Sequence, residues 1–404
     1  MTDRRPHTDG PLWGTILLLG ALTAFAPMSI DMYLPSLPAI GADFHARPGA
    51  AQATLASFFT GLALGQIFYG PASDRWGRRW PLLGGVALYV AASVWCALAP
   101  SLESLIAARF LQAMGGCAGA VIARAVVRDR FDHRQSARVL SQLMLVMGVA
   151  PILAPLVGGE VAALAGWRVL FWILAAFGAL LGVSVWFALD ESRSRETALQ
   201  AQSEHPARAY LALLKSRPLV GFTLAAAFNS GALFAYITAS PGLLISTYHI
   251  PSTSFGLVFG ANAIGLIGMS QVNAHLLRSH TPETILRRAR PFSILFACVL
   301  TLDAFTGWGG AWGVLAPLFL VIASFGLIGA NAQACGMNVD PKRAGSISAL
   351  MGGASFGVGA LAAGITSALT VAWPGGGAGP MAAVILTAIL TSTAALYGIA
   401  RTES

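Results

Sequence analysis

Two ionisable side chains, Asp31 and Arg109, lie well inside long apolar stretches of the chain. A charged group at the centre of a hydrocarbon-embedded helix costs about 2.5–3.5 kcal/mol on the biological insertion scale, so a residue kept there is a functional candidate. An aspartate in such a place can hold or release a proton, and an arginine nearby favours its charged form, so the chemistry this pair offers is proton exchange. Glu160, Arg168, Asp190 and Asp303 fall near the ends of apolar runs, where water reaches them. Pro27 and Pro35 flank Asp31 and interrupt helical hydrogen bonding on both sides of it.

The stretches that carry these residues are membrane spans. With 404 residues, 56% hydrophobic, only 10% charged and a mean hydropathy of +0.68, the chain lacks the polar side chains to cover a water-soluble globule. In hydrocarbon every backbone N–H and C=O must be paired within its own segment or around a closed barrel. The apolar stretches are continuous and about 20 residues long, which selects helices over the short alternating strands of a barrel. Spans are read at roughly 12–40, 51–71, 80–99, 102–127, 136–162, 168–189, 218–240, 252–277, 284–307, 310–335, 343–371 and 379–400. The expected class is therefore all-α integral membrane, with twelve transmembrane helices in two six-helix bundles. Residues 1–190 form the first bundle, 191–217 a polar linker and 218–404 the second bundle.

Sidedness follows from the 25 Lys and Arg residues. Under this count nearly all of them fall on one side; only Arg47 and Arg168 reach the other, and Arg109 lies within a span. Basic loops stay in the cytoplasm, so both termini and the linker are expected there, in a bacterial inner membrane. The net charge of +8 is then explained by orientation and anionic lipid rather than by nucleic acid. At about 1.5 Å per residue, Asp31 stands about 28 Å up the first span and Arg109 about 10 Å below the outer end of the fourth. In a helix about 40 Å long these depths coincide.

The turn after the second span reads GPASDRWGRRW from Gly70 to Trp80. Asp74 can cap a helix or pair with an arginine, Gly77 permits a tight turn, and Arg75, Arg78 and Arg79 can hold helix ends or lipid phosphates. Taken alone it is an ordinary basic loop. It resembles, however, the G-x-x-x-D-R-x-G-R-R signature of the major facilitator superfamily. That resemblance implies a cytoplasmic latch made by Gly70, Asp74, Arg75, Gly77, Arg78 and Arg79 that stabilises the outward-open state. The stretch from Arg109 to Gly115 is similar to the family's R-F-L-Q-G-x-G element, with Ala113 in place of glycine. Gly148 to Gly159, GVAPILAPLVGG, resembles the fifth-span element of drug antiporters, carried by Gly148, Pro151, Ala154, Pro155, Gly158 and Gly159. Such Pro and Gly pairs bend a membrane helix and let a neighbour approach.

Residues 29–38, SIDMYLPSLP, with 124–129, RAVVRD, and 344–350, AGSISAL, are similar to the bicyclomycin/chloramphenicol resistance group of proton-coupled exporters. The resemblance implies export of small drugs in exchange for protons by alternating access, with no enzyme activity and no cofactor other than the proton. It also implies that spans one and four line the central cavity, so that Asp31 and Arg109 face the same water-filled space. Movement of Arg109 relative to Asp31 would then set proton affinity. Each proton entering supplies about 2.3 kcal/mol per 100 mV, roughly a fifty-fold concentration ratio for a neutral substrate. Expected cavity contacts are Tyr33, Phe58, Phe59, Asn229, Phe234, Tyr236 and Asn262, aromatic and amide groups suited to varied drugs. A monomer is expected by analogy with the fold.

Other classes are disfavoured. No Gly-Lys pair exists, so no Walker loop can be written. Seven histidines lack H-E-x-x-H spacing and four cysteines lie in four different spans, leaving no expected metal site or disulfide framework. The same-fold alternative is proton-coupled carriage of a sugar or organic metabolite, and an importer of acids would carry more cavity cations than Arg109.

Overall fold

The computed structural model describes residues 12–131, 133–193, 211, 213–340, 343–373 and 375–400. The long elements are α-helices, because in lipid each backbone group must find its partner within its own segment. In chain order they are α1 (Leu12–Thr23), α2 (Phe25–Asp31), α3 (Leu37–Asp43), α4 (Ala53–Trp76), α5 (Arg79–Ala97), α6 (Leu102–Arg130), α7 (His133–Ala165) and α8 (Trp167–Ala188). There follow α9 (Arg217–Pro241), α10 (Ser252–Leu276), α11 (Pro282–Thr306), α12 (Gly310–Asn338), α13 (Ala344–Ala372) and α14 (Gly379–Ala394). Sequence-local signals set several ends: Ser101 caps α6 and Thr281 caps α11, each accepting from the N–H three residues on, and Pro282 opens α11.

Among the described residues, ten helices are long and apolar enough to cross a membrane, and α1 with the segment Phe25–Asp43, bent by 41°, makes an eleventh. The protein is a multi-pass membrane protein. Twelve spans were expected; the remaining one, α4, has the length, about 36 Å over its 24 residues, but not the apolarity. Its polar residues Thr54, Gln66 and Ser73 are buried, so they face protein rather than lipid. The outward faces elsewhere carry exposed Leu17, Leu164, Leu180, Phe187, Phe292 and Leu361, a surface suited to hydrocarbon and not to water.

Helices α1–α8 pack on one another, as do α9–α14, and α4 against α13 and α7 against α10 form the seam between the two groups. The end that holds residues 77–78 and 277–281 is called here the basic end, the other the far end. A cavity of about 340 Å³ opens at the far end of the seam beside Gln52 and Trp373, and another of about 240 Å³ at the basic end beside Gln66 and Arg124.

Asp303, expected at a water-accessible end, and Arg290 are both buried. Asp303 turns inward and accepts from the Gly309 N–H. Arg290 lies two turns inside α11, fully buried, with Nη2 donating to Ser392 Oγ at 2.6 Å and its other nitrogens unpaired. The helix start at Pro282 puts it there, too far along α11 to belong to the loop.

Candidate functional site

The first span is not one helix. Pro27 lacks an N–H and its ring crowds the carbonyl four residues earlier, so the chain bends between Thr23 and Phe25. Helix then continues only to Asp31, because Pro35 and Pro38 force the 3-10 turn Leu34–Ser36 before α3 begins. Asp31 is thus the last residue of a seven-residue helix, 4% exposed, and no described residue donates a hydrogen bond to it or pairs with it. It lies within electrostatic range of Tyr236 on α9, at the seam.

Arg109 does not face Asp31. Where α2 ends, the Ser29 carbonyl finds no backbone N–H four residues on, and Arg109 Nη2 donates to it at 2.9 Å instead. Arg109 Nη1 donates to Gln112 Oε1, Gln112 Nε2 to Ser93 Oγ at 2.8 Å, and Ser93 Oγ to the Tyr89 carbonyl at 2.7 Å. The Tyr89 and Ser29 hydroxyls share a hydrogen bond of 2.7 Å, which closes a ring through α2, α5 and α6. Phe58 and Tyr33 cover the guanidinium at 4.1 and 4.6 Å. Arg109 is completely buried and no described carboxylate touches it, so it clamps the break rather than sharing a water-filled space with the aspartate.

The expected cavity residues divide accordingly. Tyr33 and Phe58 belong to the Arg109 cluster and are closed off from solvent; the Tyr33 hydroxyl bonds Thr54 Oγ1 at 2.8 Å. Phe59 and Phe234 meet across the seam, stacked with centroids 4.3 Å apart, and Phe356 extends the stack at 5.6 Å. Asn262 Nδ2 donates to the Tyr236 hydroxyl at 3.0 Å, and Tyr236, Phe259 and Phe255 form a second stack with 5.5 Å spacings. The Oδ1 atoms of Asn229 on α9 and of Asn262, beside Tyr236, are buried with no partner among the described residues, which leaves two free acceptors. Phe255, Phe259 and Phe356 were missed, because aromatic residues in a span read equally as packing.

The Pro/Gly element of α7 meets both partners of the seam. A Cβ at Gly158 would stand 2.0 Å from the Met32 carbonyl oxygen, and one at Gly159 2.7 Å from that of Ser252, at the start of α10. Gly158 therefore lets α7 press on the residue after Asp31, while Gly159 lets it press on the second group of helices. Pro151 and Pro155 sit inside α7, Ala154 is buried, and Gly148 lies loosely against Ile267 at 3.6 Å.

In the basic-end loop, Gly70 to Trp76 finish α4 and Gly77, at φ +92°, turns the chain. A side chain at Gly77 would also collide with Glu191. Arg78 is buried and donates from Nε to Asp129 Oδ2 at 2.7 Å and from Nη1 to Ser73 Oγ and Asp74 Oδ1. Glu191 accepts the N–H groups of Arg78, Arg79 and Arg193 at 2.8, 3.2 and 2.9 Å. Partial burial pushes its carboxyl up, but these three donors outweigh that and hold it below the usual range. Arg79 lies over Trp186 and donates to its carbonyl, whereas the Arg75 side chain is exposed and pairs with no described residue. All these bonds stay within the first group of helices. Asp129, at the end of the Arg124 to Asp129 stretch, and Glu191 complete the constellation; both are visible in the sequence, but their partnership is not.

The Major Facilitator Superfamily model matches residues 19–364. The chain is 33% identical over 346 residues, covering 86% of its length and 87% of the relative's, to a bicyclomycin resistance protein homolog of Haemophilus influenzae. It is 29% identical over 311 residues, 77% and 73% of the two chains, to a chloramphenicol resistance protein of Pseudomonas aeruginosa. Among solved structures, the partially occluded inward-open form of the xylose transporter XylE from E. coli matches with a TM-score of 0.72 at 12% identity, over 96% and 97% of the two chains. At that identity the likeness is one of fold alone.

Proposed function

The chain belongs to the Major Facilitator Superfamily and is a transporter rather than an enzyme, and from that premise we propose that it exports small drugs by proton antiport. It works as a monomer in a bacterial inner membrane with both termini in the cytoplasm, the two six-helix bundles rocking about the seam. Relatives of about 30% identity named for drug resistance support the substrate class.

The observation that carries the coupling is Asp31: a carboxyl at a helix break, nearly enclosed, paired with no described residue and within reach of Tyr236 of the second bundle. Enclosed between the bundles, it is stable only with its proton; when the seam opens and water reaches it, the proton can leave. Arg109 acts at one remove, by holding the Ser29 carbonyl and so fixing where the helix ends. Drug stacks on Phe59, Phe234 and Tyr236 and meets the free oxygens of Asn229 and Asn262, groups drawn from both bundles. The loop from Gly70 to Arg79 braces the first bundle while the seam changes.

The test is drug accumulation in energised everted vesicles, with and without a proton uncoupler, for wild type and Asp31→Asn. Uncoupler-sensitive accumulation in wild type and its loss in the variant is the expected result. Accumulation that keeps its proton dependence in Asp31→Asn removes this mechanism.

A further inference from the structure

The basic-end cavity is lined by Gln66 of α4, Arg124 of α6, Ser230 of α9, Gln333 of α12 and Ser348 and Ser355 of α13, with Met351 and Phe356 as apolar wall. None of those six polar side chains makes a hydrogen bond to a described residue. That is unusual for the serines, because hydroxyls on membrane helices ordinarily bond back to the carbonyl four residues earlier, as Ser184 and Ser270 do here. Gln66 is 8% exposed and also unpaired. Arg124 lies six residues, about 9 Å, inside the end of α6. No described carboxylate pairs with it or lines the cavity, and Arg128, one turn further along α6, adds positive charge near it. A half-buried guanidinium with five donors, surrounded by hydroxyls and amides that face one space from both bundles, is built to receive a negative group.

We propose that this cavity binds the anionic group, carboxylate or phosphoryl, of a small molecule, with Arg124 as the cation and Gln66, Ser230, Gln333, Ser348 and Ser355 supplying hydrogen bonds. It rests on the transport reading in that the ligand is cargo entering from the basic end. The same cation excludes lipophilic cations from that entrance, and Phe356 joins the cavity to the aromatic stack with Phe234. The preferred cargo is therefore a neutral or acidic aromatic compound of about one or two rings, in keeping with a space of about 240 Å³. A lipid phosphate offers the same chemistry from another source.

Equilibrium binding of radiolabelled 2-naphthoate and of its neutral isostere 2-naphthalenemethanol is measured on the full chain in phosphatidylcholine nanodiscs, without a proton gradient. Wild type is expected to prefer the acid, Arg124→Gln to lose at least ten-fold of its affinity for the acid, about 1.4 kcal/mol, and Arg124→Lys to recover part of it. Affinity for the alcohol stays within two-fold in all three, which shows that the variants are folded. Displacement of the acid by phosphatidylglycerol in wild type supports the anion site with lipid as its source. Equal affinity for acid and alcohol in wild type, or an acid affinity indifferent to Arg124→Gln, overturns the proposal. Because no gradient is present, failure of antiport through Asp31 leaves this result untouched, and failure here leaves the vesicle experiment standing.

Discussion

Asp129→Asn tests whether the basic-end loop is a brace. Arg78 is 4% exposed at its side chain and Asp129 11%, so water screens their ion pair weakly. Removing one partner of a buried pair costs about 3–5 kcal/mol, because a charge is left enclosed. Asp74 remains on the Arg78 Nη1 side, but its side chain is 44% exposed and its pairing is correspondingly weak. The expected loss is therefore about 2–3 kcal/mol. The assay is reversible unfolding of the purified protein in mixed micelles, run as a double-mutant cycle of Asp129→Asn with Arg78→Gln. A coupling of about 2 kcal/mol that survives about 0.5 M salt is expected, since a pair this enclosed escapes ionic screening. A coupling below about 0.5 kcal/mol would refute the brace and return the loop to an ordinary basic turn.

Gly158→Ala is expected to cost about 1–3 kcal/mol and to abolish coupled transport, because the methyl drives α7 away from Met32 and shifts Asp31, whereas Gly148→Ala, with room at Ile267, should be tolerated; equal thermal stability and transport in the two variants would contradict it. Glu191 is held below the usual carboxylate range, so its contribution is present above about pH 4.3, the unfolded value, and fades as pH falls through the lower folded one. The stability gap between wild type and Glu191→Gln should accordingly close on acidification from about pH 6 to about pH 3, as read by thermal unfolding, and a gap that widens has the wrong sign. Phe234→Ala removes two ring stacks at the seam and should raise KM for aromatic drugs about five-fold, from about 1 kcal/mol of lost stacking, while leaving proton dependence in place. Unchanged KM values for every aromatic drug tested would take these rings out of the binding site.

Composition alone placed the chain in a membrane, because hydrocarbon leaves helices as the form open to long apolar runs, and that argument needs no tertiary information. The prolines around Asp31 announced a break in the first span, since a missing N–H acts locally wherever the helix lies. Asp74, Gly77 and Arg78 were legible because their turn chemistry is contained within a few residues. The matching depths of Asp31 and Arg109 were legible too, but depth says nothing about azimuth. Only packing decided that Arg109 turns into the first bundle to take the Ser29 carbonyl, leaving Asp31 on the seam. The partners Asp129 and Glu191 are 51 and 113 residues from Arg78, and no local rule links them to it. Arg124 and the serines of α9 and α13 likewise read as separate polar residues in separate spans; what makes them one site is a seam that exists only when two bundles meet. Solvent and local backbone chemistry are written residue by residue, whereas the direction a helical side chain faces depends on neighbours supplied by distant parts of the chain.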